Sequence, residues 1–281
     1  MPNHPQRTAL SAAAERLPFT DAPAAWRGGA ATGGGRARRP LPHDGRRQRV
    51  RDSPARARVV ANPKLYLHET IDIIGTGSEP YKRHTAAWAA RRRKGGALVG
   101  IWQQSGSTGD WPRVVNLWEM DGWKQWADIL EKQYAGEGQP ADLRAWWTRM
   151  ARWRSGGFDR ILEPAPYCPT RDQLIERSVR GRACLQEIAT LRAGTAEEYL
   201  DAVATRWLPV AERRGLRLIG AYRTAMRDTE AVILWSVPTF DALTRHLGDF
   251  GSAPETRDWT AAARWSASGS SQGRPGIGRA S

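Results

Sequence analysis

The sequence predicts an α+β fold: two tandem copies of a ferredoxin-like β-α-β-β-α unit whose sheets pack face to face into a barrel. Three observations predict it. Bulky residues recur in the same order at an offset of about 118 residues. Each copy alternates short apolar strands with amphipathic helices. Each unit also leaves one apolar sheet face uncovered, and the other copy is the simplest cover for it. The repeat aligns Leu67-His68-Glu69 with Leu185-Gln186-Glu187, Tyr81 with Tyr199, and Gly100-Ile101-Trp102 with Gly220-Ala221-Tyr222. Leu117-Trp118 aligns with Leu234-Trp235 and Trp123 with Phe240, while Trp88 falls one residue out of step with Trp207.

The first strand of copy one spans 65–73, with Leu65, Leu67, Ile71 and Ile73 as its apolar positions. A glycine turn follows, and Ser78, like Thr195 in copy two, is placed to cap a helix. The helices are predicted over 79–93 and 196–214. Each ends in a basic run and then glycine, Arg91 to Gly95 and Arg213 to Gly215. Cations complement the helix dipole there, and glycine supplies the left-handed cap, so these runs read as helix stops. Strand pairs follow at 97–104 with 113–120, and at 217–224 with 231–237, joined by polar links of hairpin length. Second helices are expected at 122–134 and 239–249.

The organisation is an arm (1–62), a first repeat (63–138), a connector (139–182), a second repeat (183–265) and a Gly/Ser-rich tail (266–281). The connector holds a helix within 141–164 carrying Leu143, Trp146, Trp147, Met150 and Trp153 on one stripe, then an extended linker at Pro164, Pro166 and Pro169. The stripe reads as packing between the halves rather than as a membrane-surface helix. The arm, with Gly28 to Gly35 and a basic Arg36 to Arg51 stretch, reads as disordered. An organellar transit peptide and a downstream translation start compete with that reading. The arm has no continuous apolar run of a secretory signal, and a cytoplasmic protein is expected.

The chain has 43 Lys and Arg against 29 Asp and Glu, a net charge of +14. Residues 1–64 hold 13 of the cations against 4 acids, so the charge belongs mainly to the arm. Arginine outnumbers lysine 38 to 5, a bias of composition more than of phosphate recognition, and no specific nucleic-acid partner is expected. No apolar stretch approaches a membrane span. Two cysteines, Cys168 and Cys184, exclude a disulfide framework. Nucleophile-elbow, P-loop and dinucleotide fingerprints are missing, and Gly75-Thr76-Gly77 reads as an ordinary strand-to-helix turn.

Candidate chemistry comes from strand parity. Glu69 shares a face with Leu67 and Ile71, and Glu187 with Leu185 and Ala189, so each half puts a carboxylate on an apolar face. Desolvation would raise its pKa and suit it to general acid or base work. The competing reading is a structural ion pair with Arg113 or Arg223. The opposite face is read as carrying His68, Asn116 and Trp118. Asn116 interrupts the apolar strand where copy two has Ile233, and its amide beside His68 would orient a carbonyl or an oxygenated ligand. Trp102, Trp118, Tyr222 and Trp235 are the candidate substrate-binding aromatics. The histidines lack metal-ligand spacing, so no metal or other cofactor is expected.

The repeat unit, with Leu67 and Glu69 in its first strand, then Leu98 to Gly106 (LVGIWQQSG) and Arg113 to Trp123 (RVVNLWEMDGW), resembles the NIPSNAP family of the dimeric α+β barrel superfamily. The resemblance covers about 65–135 and 183–250. It implies a barrel that relatives build from two chains and that this chain builds either alone or as a homodimer. It also implies a range of roles. One is binding of a small hydrophobic molecule in the barrel, as a cofactor-free oxygenase or isomerase. Another is a non-catalytic adaptor. The third is a haem-associated protein with His246 or His84 as the iron ligand. The sequence leaves open whether the chain is an enzyme.

Overall fold

The computed structural model describes residues 6–11, 62–91, 96–106, 110–135, 138–250 and 252–261. In chain order these form β1 (Gln6–Ser11), β2 (Leu65–Ile73), α1 (Ser78–Arg91), β3 (Ala97–Gln104), β4 (Arg113–Met120), α2 (Trp123–Tyr134), α3 (Ala141–Met150) and β5 (Arg154–Pro164). They continue with α4 (Arg171–Glu176), β6 (Ala183–Thr190), α5 (Ala196–Ala202), α6 (Leu208–Arg213), β7 (Arg217–Thr224), β8 (Arg227–Val237), α7 (Phe240–Asp249) and α8 (Pro254–Ala261).

The strands close into one antiparallel barrel in the order β1-β3-β4-β2-β5-β7-β8-β6. The halves are β3-β4-β2-β5 and β7-β8-β6-β1, related by a pseudo-twofold along the barrel axis. Equivalent strands therefore lie diametrically opposite, β2 facing β6 across the interior. The predicted sheet-to-sheet packing is thus realised within one chain.

Every repeat strand alternates between two apolar environments. Inward residues of both halves form one core, with Tyr66, Trp102, Leu117 and Leu162 meeting Cys184, Ile219, Tyr222 and Leu234. Outward residues are covered by helices in two separate layers. The first half packs Ile71, Ile101 and Val114 against Tyr81 and Met150. The second packs Leu185, Ile233 and Trp235 against Trp207, Leu243 and Trp259. Burial of both faces is why the strands read as nearly continuous apolar runs.

The duplication extends to backbone detail. Matching β-bulges fall between Leu98 and Gly100 and between Leu218 and Gly220. At each, the aromatic ring two residues on, Trp102 or Tyr222, folds back over the glycine, where any Cβ would overlap it.

The connector departs from its predicted form. Its helix ends at Met150, and Arg154–Pro164 form β5, the fourth strand of the first sheet. Phe158, Arg160 and Leu162 alternate with Asp159 and Ile161, a period of two that the tryptophan stripe obscured. The proline-rich linker is not merely extended. Cys168 and Leu174 enter the inward core and plug one barrel end. Helix α4 follows with a capping box between Thr170 and Gln173.

The helix predicted at 196–214 contains a π-turn at Val203–Trp207. Pro209 has no N–H to continue the i→i−4 ladder, and the wider turn accommodates it. Thr195 does not cap this helix, because its hydroxyl donates to the Arg192 carbonyl instead. Gly215, at φ 82°, ends it with Leu216 N–H bonded to the Ala211 carbonyl, as the basic-then-glycine pattern predicts.

Most of the predicted disordered arm, and the whole of the 266–281 tail, lie outside the described residues. Within the arm, Gln6–Ser11 form a strand that fills the gap between β3 and β6.

Replacing Gly220 by alanine drives a methyl into the Tyr222 hydroxyl and is expected to destabilise by about 1–3 kcal/mol. Gly106→Ala, which meets nothing within 4 Å, is expected to be near neutral. Urea midpoints of the two variants check this.

Candidate functional site

The eight candidate site residues divide between the two sheet faces. His68, Trp102 and Tyr222 point into the barrel. Glu69, Asn116 and Trp118 lie under the helices of the first half, and Glu187 and Trp235 under those of the second. The predicted grouping of His68 with Asn116 and Trp118 is therefore corrected. Asn116 sits directly opposite Glu69 in the β2–β4 register, and directly opposed residues share a face.

Under the helices, the two carboxylates have the same partner. Trp118 Nε1 donates to Glu69 Oε2 at 2.6 Å, and Trp235 Nε1 donates to Glu187 Oε1 at 3.0 Å. The predicted alternative, an ion pair with Arg113 or Arg223, does not form. Arg113 pairs with Asp72, and Arg223 with Glu163. In the first half Asn116 adds a second layer, donating to Glu69 Oε2 at 3.0 Å and to the Tyr81 hydroxyl at 2.9 Å. Burial pushes the Glu69 carboxyl up, and Asp159 across the strand pair pushes the same way, against the hydrogen bonds from Asn116 and Trp118. Packed between sheet and helix, the Glu–Trp bonds fasten β2 to β4 and β6 to β8.

The interior has a different chemistry. His68 is 0% exposed, and its Nε2 lies 2.8 Å from Oε1 of Gln186, the residue that occupies its own position in the other half. The bond spans the barrel between opposite strands. With its proton on Nε2, the neutral ring donates to the Gln186 carbonyl oxygen. Nδ1 is buried and without a hydrogen-bond partner, and in that tautomer it is the acceptor nitrogen. The His68 pKa is lowered to about 4, chiefly by burial, with the neighbouring Arg160 guanidinium pushing the same way against the Gln186 contact.

Arg160 is the cross-strand partner of His68 on β5. It makes a two-pronged ion pair with Glu230, Nε to Oε1 at 2.8 Å and NH2 to Oε2 at 3.2 Å. Thr224 donates to the same carboxylate at 2.8 Å. Burial opposes ionisation of Glu230, but Arg160 outweighs it and holds the carboxyl below the usual range. Towards solvent, the Arg160 and Arg227 guanidinium groups lie 4.6 and 5.7 Å from the ring centre of Phe158, which is 47% exposed. This end of the barrel is polar and reaches solvent at Phe158. The opposite end is closed by the connector, where Tyr66 donates to Glu119 at 2.7 Å and the Arg171 backbone N–H donates to the same oxygen.

Arg160, Glu230 and Gln186 were not among the predicted site residues. Arg160 lies on the strand that the sequence reading missed. Gln186 stood in the repeat alignment opposite His68, and that pairing was the available signal.

The histidines proposed for haem do not face the interior. His246 packs in the second helix layer beside Trp207 and Phe250. His84 stacks on Trp153 at 5.0 Å on the outside of the first. Neither fits an axial ligand for a group held inside the barrel. No group of three or more His, Cys, Asp or Glu placed to hold a metal occurs among the described residues.

Trp235→Phe leaves the Glu187 carboxylate short of a donor and is expected to cost about 1–3 kcal/mol. Glu187→Gln, which still accepts from the indole, is expected to cost less. The two urea unfolding free energies, compared side by side, check the order.

No family model matches the chain, and no curated protein does. Solved structures do. The chain is similar to a candidate monooxygenase of Lactobacillus acidophilus, at TM-score 0.50 and 9% identity over 74% of this chain and 90% of that one. For a candidate monooxygenase of Fusobacterium nucleatum the values are 0.47 and 8%, over 74% and 89%. An uncharacterised NIPSNAP domain protein of Burkholderia xenovorans gives 0.31 and 20%, over 38% and 99%. Likeness at these identities concerns the fold alone. The first structure and the eight-stranded closure agree: the chain has the dimeric α+β barrel fold that the NIPSNAP resemblance implies, with both halves of the barrel drawn from one polypeptide.

Proposed function

We propose that the barrel interior around His68 binds a small, largely apolar molecule and that His68 acts on its most acidic proton. The observation that carries this is an inward-facing, fully buried imidazole whose Nδ1 has no hydrogen-bond partner. A buried acceptor left without a donor costs about 1–3 kcal/mol, which a ligand O–H or N–H recovers on binding. Apolar neighbours, Leu117, Leu162 and Leu234, favour a hydrophobic ligand body. Trp102 and Tyr222 remain candidate contacts. Asn116, Trp118, Trp235, Glu69 and Glu187 act on the scaffold and not on the ligand.

The proposed chemistry is proton transfer without a cofactor. Nδ1 takes a proton from the ligand, the bonding pair moves onto a ligand oxygen, and the resulting enolate or phenolate is stabilised by Arg160. Returning the proton elsewhere makes the step an isomerisation. With dioxygen as co-reactant, the same anion is the species an oxygenase oxidises. A ring with a pKa of about 4 is a weak base, so the site favours an enol or phenol over an unactivated C–H. A cytoplasmic location belongs to the same proposal. It is supported by the two free, buried thiols, Cys168 and Cys184.

Two measurements test the site. Native mass spectrometry of the full-length chain, followed by calorimetric titration with a panel of enolic and phenolic compounds, is expected to find a 1:1 ligand. His68→Phe is expected to weaken that ligand by at least about tenfold while the protein stays folded. Equal binding by wild type, His68→Phe and His68→Gln would sink the proposal. The lowered His68 pKa also has a stability consequence. The folded state binds this proton less readily than the unfolded state, so the associated stability is present above pH ~6.5. It is lost as pH falls towards 4, by about 3 kcal/mol for a fully buried ring. Unfolding free energies from pH 7 to 4 should therefore drop more steeply for wild type than for His68→Gln.

A further inference from the structure

The two halves of the barrel complete their sheets in different ways. In the first half, β5 follows the helices of its own repeat. It pairs with β2 from Tyr66↔Leu162 to Ile73↔Arg154, and with β7 of the other half from Leu162↔Thr224 to Pro164↔Tyr222. The pseudo-twofold requires a strand with the same two neighbours in the second half, between β6 and β3. Chain order would draw it from beyond α8. That stretch, AARWSASGSSQGRPGIGRAS, is rich in Gly and Ser after Trp265, contains Pro275, and shows no alternation of apolar residues. The position is taken by β1, from the opposite end of the chain. It pairs with β6 from Gln6↔Ile188 to Ser11↔Ala183, and with β3 at Leu10↔Gln104 and Ser11↔Gln103. The pattern matches that of β5, a long register with the first strand of its own half and a short one across the seam.

We infer that Gln6–Ser11 are a detached fourth strand for the second repeat, and that the groove between β6 and β3 is an acceptor site for an extended peptide segment, filled by this one. Main-chain hydrogen bonds give the groove its affinity, as in other strand additions. Without an occupant, β6 and β3 would each present a row of unpaired N–H and C=O groups. The site lies against the interior, because Thr8 is the register partner of Gln186, the residue that holds His68. Cleavage of the chain between Ser11 and Leu65 would then release the strand.

Hydrogen exchange on the full-length chain tests this without reference to any ligand. Thr8→Pro and Ala9→Pro remove N–H groups at adjacent positions, so one of the two lies on the side facing β6. That variant is expected to speed amide exchange across 183–190 by at least about tenfold, while β2 and β8 exchange as in wild type. A synthetic peptide of residues 4–13 added in excess is expected to restore protection. Unchanged exchange at 183–190 in both variants overturns the assignment, and so does fast exchange there in wild type. Failure of the peptide to protect overturns the acceptor groove. Loss of protection on deleting residues 262–281 would assign the position to the C-terminal segment instead. Protection that depends on protein concentration, with a dimer mass in native mass spectrometry, would assign it to the strand of a second copy.

Discussion

The central strands of the two halves, β4, β6 and β8, are buried on both faces, and the rest of the structure follows from that constraint. A strand with two apolar faces needs cover on both sides. Eight strands closed on themselves supply one cover, and two helix layers supply the other. Closure also removes the edges, which for strands this apolar would be templates for aggregation. It requires a strand at each seam between the repeats, and β5 and β1 meet that need from irregular parts of the sequence.

Where the halves keep the same residues, those residues hold the scaffold. The Glu–Trp bonds recur in both helix layers, and the bulge with its overlying aromatic ring recurs in both sheets. Where the halves differ, the structure carries something it does not need for closure. His68 faces Gln186 across the axis, one ring nitrogen satisfied and the other not. A symmetric pair of glutamines would have fastened the barrel equally well. On the opposite side of the same sheet, Asn116 replaces the isoleucine of copy two and ties Glu69 to Tyr81. The first departure points into the barrel and the second away from it, which separates a candidate for chemistry from a feature of packing.

Charge inside the barrel is managed in a graded way. At the closed end, Glu119 is satisfied by Tyr66 and a backbone N–H. At the polar end, Glu230 neutralises Arg160 beside His68, so the guanidinium is held in place without leaving a large uncompensated charge in the interior. The histidine between them stays neutral, because burial and Arg160 both oppose its protonation.

The sequence by itself determined the duplication, the strands at 65–73, 97–104, 113–120 and 217–224, and the barrel as the means of covering two apolar sheet faces. These are legible because hydrophobic periodicity and repeat spacing are local or self-similar signals. It also singled out Glu69, Glu187, His68 and Asn116 as polar residues in apolar strands. It did not tell which face was which. Adjacent residues such as His68 and Glu69 point to opposite faces of a strand, and both faces here are apolar, so polarity cannot distinguish barrel from helix layer. Only the tertiary structure decided that Asn116 belongs with Glu69, that His68 meets Gln186 118 residues away, and that Arg160 stands beside it. Those contacts are set by strand register and by closure of the ring, which join residues far apart in the chain and leave no periodic trace in it.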